Sequence, residues 1–220
     1  MSKHAFWQAL VFTIIIFSLG MILGFFLELR QSDRVYANLV NSELNILDEQ
    51  LRQRIISDSN VSCDLAKESM FNFADKIYED AVDLEESDET GRITDLGALH
   101  KRYDLLRTLL LFEAEKLKQR CMEDFHIITY LYLYNIEDIV LNSKQSYFSR
   151  QLFDLKSEYP EDIILIPIAI NTDVASVDLL VKSRNLNSYP VIVIDGKNFV
   201  TEFSTLDELT NLVFGNTSAP

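Results

Sequence analysis

The feature that most limits this chain is a run without a single charge, Ala5 to Leu27, 23 residues long. At about 1.5 Å of rise per residue, a helix of that length reaches about 35 Å, enough to cross a hydrocarbon core with some tilt. Two alternatives compete with a membrane span. One is an ordinary buried core helix. The other is a cleavable signal peptide, because Val35-Tyr36-Ala37 has small residues at peptidase spacing. The run is too long for a usual signal h-region, however, and Glu28, Arg30, Asp33 and Arg34 separate it from that site. A single retained transmembrane helix within residues 1–29 is the expectation, with the remaining chain in water on one side. Gly20 and Gly24 make a GxxxG step through which two such helices could approach closely, so a homodimer is one possible state. Trp7 lies where an interfacial aromatic belongs. Lys3 and the amino terminus on one flank balance Arg30 and Arg34 on the other, so flanking charge does not orient the helix.

Beyond the anchor the chain is acidic. A net charge of −14, from 34 acids and 20 bases, repels nucleic acid and anionic lipid surfaces, so neither is expected as partner of the water-exposed part. Six glycines and four prolines in 220 residues favour ordered structure with few long linkers.

Residues 30–123 read as a helical stalk and an antiparallel helical hairpin. Tyr36, Val40, Leu44, Leu47, Leu51 and Ile55 recur every three or four residues, the mark of an amphipathic helix that either forms a short coiled-coil seam or packs on its own neighbours. After Ser57-Asp58-Ser59-Asn60, Ser62 caps a second helix that reaches about Glu86, with Leu65, Met70, Phe73, Ile77, Val82 and Leu84 as its apolar face. A third helix begins near Thr94 and buries Leu96, Leu99, Tyr103, Leu106, Leu110, Ala114 and Leu117. The two cysteines, Cys63 and Cys121, are equidistant from residue 92 in the turn between these helices. Antiparallel pairing sets them side by side, and a disulfide there would close a loop of nearly 60 residues, worth about 2–4 kcal/mol. The alternative is two ordinary buried thiols. A disulfide implies an oxidising compartment, hence an amino terminus in the cytoplasm and an extracytoplasmic carboxy-terminal domain. The sequons Asn60-Val61-Ser62 and Asn216-Thr217-Ser218 fit that side.

Residues 124–216 change period. Ile127 to Tyr134 reads as a strand, Lys144 to Lys156 as a helix, and Asp162 to Ile170 as a buried strand in which Pro167 marks a bulge or sheet edge. Val174 to Arg184 reads as a short helix. Val191–Ile194, the Asp195-Gly196 turn and Phe199–Phe203 read as a β-hairpin, and Thr205 to Phe214 as a closing helix; residues 217–220 are a tail. The fold class is α/β, in the order β-α-β-α-β-β-α. That order, with Asn187-Ser188-Tyr189-Pro190-Val191-Ile192-Val193-Ile194-Asp195-Gly196 leading a proline into an apolar strand, resembles the thioredoxin-like superfamily over about residues 126–215. The resemblance implies a first strand pair that is parallel and a last pair that is antiparallel. It also implies a cis peptide at Pro190 and a peptide-binding groove beside Tyr189 and Pro190, unless that proline is only a turn that holds the fold.

The family's redox chemistry needs a Cys-x-x-Cys at the start of the first helix, where the helix amino end favours a thiolate. Residues 135–147 contain no cysteine, Ser143 and Ser146 cannot exchange disulfides, and Glu137 and Asp138 disfavour a thiolate. His4, His100 and His126 are scattered, no nucleotide loop or nucleophile elbow is present, and neither metal nor cofactor is expected. The expected function is therefore a membrane-anchored, extracytoplasmic, redox-inactive thioredoxin-like domain that binds or scaffolds an unidentified protein partner. The alternative is a thiol-disulfide oxidoreductase or redox sensor that uses Cys63 and Cys121; enzymatic activity is the less favoured of the two.

Overall fold

The computed structural model describes residues 7–8, 10–23, 44, 46–52, 54–56, 61–89, 96–122 and 124–215, with only the backbone of 80–89 and 96. It divides into two compact units, Met1–Asp58 and Ser59–Pro220.

In the first unit residues 10–23 are helical. Among the described residues no helix is long and apolar enough to cross a membrane. The span expected from Ala5 to Leu27 also includes residues 5–6, 9 and 24–27, which lie outside the described residues, as do Gly24, Tyr36 and Val40. Residues 46–52 and 54–56 are helical, and Leu44, Leu47, Leu51 and Ile55 are each about half exposed. Arg52 Nε donates to Glu49 Oε1 at 2.7 Å one turn back.

The second unit is mixed α/β. Helix α1, Cys63–Glu89, has Asp64 in its first turn, and Ser62 Oγ accepts the Leu65 N–H at 3.4 Å. It buries Ala66, Met70, Phe73 and Ile77, a stripe at spacings of three and four. Helix α2, Leu96–Cys121, buries Tyr103, Leu106, Leu110, Leu111, Ala114 and Leu117. Adjacent Leu110 and Leu111 widen this stripe beyond what one partner helix covers, and α2 indeed packs on both α1 and the sheet.

The sheet contains β1 His126–Tyr132, β2 Ile163–Ala169, β3 Val191–Ile194 and β4 Asn198–Val200, in the order β2-β1-β3-β4. β1 and β2 are parallel, β3 is antiparallel to β1, and β4 is antiparallel to β3. Helices α3 Ile139–Glu158, α4 Ala175–Ser183 and α5 Leu206–Phe214 complete the unit. Because side chains alternate along a strand, Ile128, Tyr130, Ile192 and Ile194 share one face, packed by Phe148, Leu152 and Leu155 of α3 and by Leu209 and Val213 of α5. Ile127, Thr129 and Leu131 are buried on the other face, where α2 lies along β2 and against α4. The hairpin thus supplies a layer of the α/β core.

β2 is an edge strand whose exposed side is largely closed. The Ile163 N–H donates to Tyr159 O at 3.2 Å, Pro167 has no N–H, and the Ala169 N–H donates to Asp104 Oδ1 of α2 at 3.0 Å. The β3–β4 turn spans Asp195, Gly196 and Lys197, with Asp195 at φ 49° and Gly196 at φ 67° in the left-handed region and the Lys197 N–H donating to Ile194 O at 3.0 Å. α5 opens with a capping box in which Thr205 Oγ1 accepts the Glu208 N–H and the Glu208 side chain accepts the Thr205 N–H.

Candidate functional site at the carboxyl end of the first strand

The segment that leaves β1 is held from two sides by amides. Gln145, buried on α3, accepts the Leu133 N–H at 2.8 Å and donates to Leu133 O at 3.0 Å. Asn171, just after β2, does the same to the next residue, accepting the Tyr134 N–H at 2.7 Å and donating to Tyr134 O at 2.8 Å. Each amide satisfies both backbone groups of one residue, as a neighbouring strand would, so the loop is fixed without belonging to the sheet. Asn135 then adopts φ 50° and Asp138 becomes the N-cap of α3, its Oδ1 accepting from Val140 N at 2.9 Å and Leu141 N at 3.1 Å. The first turn presents Ile139 and Val140 to solvent, 81 % and 80 % exposed.

This is the helix start at which the resemblance would locate a dithiol. It has a carboxylate instead, favourably placed at the positive end of the helix. Ser143 and Ser146 fall beyond the first turn and donate back to Ile139 O and Asn142 O at 2.8 and 3.0 Å, so both hydroxyls are taken up by carbonyls of their own helix. The chain enters β3 beside this loop, since Val191 pairs with Leu131. The Tyr189–Pro190 peptide is cis, Pro190 is buried, and the half-buried Tyr189 donates its hydroxyl to Leu186 O at 2.9 Å. Burial pushes the Tyr189 phenol up from its ordinary pKa.

The cysteines lie elsewhere. Cys63 and Cys121 form a disulfide with Cα atoms 5.8 Å apart, joining the first residue of α1 to the last of α2. Cys121 precedes β1 by five residues, at the amino end of that strand, whereas the α3 start follows its carboxyl end. Seven strand residues at about 3.3 Å each put roughly 23 Å of β1 between the two. Around the disulfide end, Phe125 packs edge-on to Phe71 at 5.9 Å, and Lys67 and Lys118 lie 6.0 and 5.7 Å from its ring centre.

Two carboxylates with no motif to mark them in the sequence bind the hairpin to the sheet. Asp195 lies 2.7 Å from Lys118 Nζ and 2.8 Å from His126 Nδ1, and accepts the Ile127 N–H at 2.9 Å. Burial alone would push its carboxyl up, but the bonds from His126, the Ile127 N–H and Lys118 outweigh it and hold the group well below the usual carboxylate range. Asp104, 1 % exposed, accepts from Ala169 N and from Thr172 Oγ1 at 2.8 Å. There burial dominates over the hydrogen bonds and over nearby Arg107 and His100, and its pKa is raised. An Arg184–Glu115 ion pair ties α2 to the end of α4.

Gly20 is helical, with nothing within 4 Å of where a Cβ would stand. Among the described residues no cluster of histidine, cysteine and acidic side chains could hold a metal. Comparisons with protein-family models, with curated proteins and with solved structures found no match to this chain.

Proposed function

We propose that this is a membrane-anchored protein whose thioredoxin-like domain, without redox chemistry of its own, binds or scaffolds a protein partner outside the cytoplasm. The observation that carries the reading is the start of α3: a loop held by the amides of Gln145 and Asn171, an Asp138 cap in place of a thiol, and exposed Ile139 and Val140 in the first turn. The sheet order β2-β1-β3-β4, with β3 antiparallel to both of its neighbours, supports the thioredoxin-like assignment. The uncharged run Ala5–Leu27 supports the anchor, and the joined cysteines support an oxidising compartment. The occupant of the site would pack apolar side chains on Ile139 and Val140.

A photo-crosslinking side chain at Val140, in native membranes, tests the reading. The expected product is one reproducible adduct with another protein, lost in a Val140→Asp background with the crosslinker moved to Ser143. Recovery of no adduct other than the chain itself overturns it.

The second reading, a thiol-disulfide oxidoreductase or redox sensor, draws on the joined pair Cys63–Cys121, neither residue of which is fully buried. Turnover in an insulin-reduction assay, abolished by Cys63→Ser, would favour it over the first.

A further inference from the structure

We propose that the protein partner docks through a basic segment carrying apolar side chains, which covers the first half of α3 together with Phe203. This deepens the binding reading of the α3 start and rests on it.

The apolar part of this surface is a row down α3. Val140, Lys144 and Tyr147 stand four and three residues apart, which sets them on one side of the helix. β4 runs parallel to β1, because each is antiparallel to β3, so the residues after Val200 leave the sheet at the end where α3 begins. Among them Phe203 is 62 % exposed although its ring meets those of Tyr147 and Phe148. Lys144 Nζ lies 5.8 Å from the ring centres of Phe148 and Phe203 alike, so its four-carbon stem adds to the apolar surface. Two ties hold the Phe203 segment: Tyr147 donates its hydroxyl to Ser204 O at 3.1 Å, and Thr205 opens the capping box of α5. A partner therefore meets side chains already in place, which lowers the ordering cost of binding.

Charge decides what can cover it. Glu137 and Asp138 precede the row, Glu202 precedes Phe203, and Asp207 and Glu208 stand in the first turn of α5, all of them exposed. Asp138 and Glu208 cap their helices through backbone N–H groups and keep their charge. Glu137, Glu202 and Asp207 have no ion-pair partner among the described residues. Against these acids the row offers one cation, Lys144. The amino end of β1 is different: there Asp195 is bonded to Lys118 and His126, and Lys67 and Lys156 lie over the rings of Phe125 and Phe71. The excess of acid is thus local to the α3 start. An acidic segment is repelled by it, and a neutral one would crowd the carboxylates without matching them, whereas lysine or arginine on either side of the apolar side chains answers their charge. Exposed pairs of this kind are individually weak, so the aromatic contacts supply most of the affinity and the acids choose the partner. A second copy of this chain, with its net charge of −14, has the wrong sign for the role.

The test uses the full chain in native membranes, with a photoreactive phenylalanine analogue at position 203 in one preparation and at position 140 in another. The captured segment is read by mass spectrometry after digestion. Both positions are expected to capture the same segment, rich in lysine and arginine around apolar residues. Glu202→Gln combined with Asp207→Asn is expected to lower the yield at low salt about fivefold, and high salt to lower the parent's yield likewise. Asp64→Asn combined with Glu161→Gln removes two exposed charges at the other end of β1 and is expected to change the yield by less than about twofold. Lys144→Met keeps an apolar stem without the charge and raises the yield. A neutral or acidic captured segment, equal yields from the parent and the Glu202→Gln, Asp207→Asn chain, or a loss with Lys144→Met each overturns the basic segment while the binding reading stands. Capture from position 140 with none from position 203 overturns the proposed surface. No adduct from either position overturns the surface and the binding reading together.

Discussion

Asp195 and Asp104 fasten the same helix layer to the same sheet, yet their ionisation acts on stability in opposite directions. The pKa of Asp195 is depressed in the fold, so its contribution is complete above the unfolded value near 4 and is lost as pH falls through the folded one. Asp195→Asn is expected to cost about 1–3 kcal/mol at pH 7, with the gap to the parent narrowing below pH 4, in urea unfolding followed across that range. The pKa of Asp104 is raised, so its contribution is complete below the unfolded value and is lost as pH rises through the folded one. Asp104→Asn keeps an acceptor for the Ala169 N–H without the charge, and its stability relative to the parent is expected to improve between pH 4 and pH 8. Asp104→Ala leaves that N–H and the Thr172 hydroxyl unsatisfied and is expected to cost about 1–3 kcal/mol. Neither carboxylate is legible in the sequence, since each partner lies more than 60 residues away. The cysteine pairing is legible, because the symmetry of a hairpin about its turn converts sequence distance directly into position.

At the level of elements, the start of α3 shows what local pattern can and cannot reveal. The sequence places that helix from about Lys144, and the structure starts it at Ile139. Ile139-Val140-Leu141 is a continuous apolar run that reads as anything but the exposed face of a helix, and the one usable signal is Asp138 as a cap. β4 shows the reverse error. Residues 199–203 look like strand, but pairing stops at Val200 because Phe203 turns onto Tyr147 and Phe148, ring centres 5.2 and 6.2 Å away, and Tyr147 donates its hydroxyl to Ser204 O. The amide clamps on Leu133 and Tyr134 set the loop ahead of α3. Gln145→Leu is expected to lower stability by about 1–3 kcal/mol and to speed hydrogen exchange at the Leu133 amide at least tenfold, leaving exchange in β3 at the global rate. Thr205→Ala, which removes half of the α5 capping box, is expected to cost about 1 kcal/mol in the same unfolding assay.

At the scale of the whole molecule, the helical hairpin and the sheet belong to one compact unit, with α2 as a layer over β1 and β2. A chain that begins at Asp124 would expose Ile127, Leu131, Ile164 and Ile166 on an uncovered face. It is expected to bind a hydrophobic dye and to lose near-ultraviolet dichroism, whereas a chain that begins at Ser59 keeps both properties of the parent. The sequence did indicate the helices of this hairpin and the succession of strands along the chain. It did not indicate that α2 faces two ways, because a wide apolar stripe looks the same whether it meets one neighbour or two.

The closed side of β2 bears on how copies of this protein can associate. Of its four outward residues, Ile163 and Ala169 have their N–H groups occupied and Pro167 has none to offer. Among the described residues the freer edge of the sheet is its β4 side, and that edge is only three residues long. Strand-by-strand association through the described sheet is therefore expected to favour a pair over an extended stack.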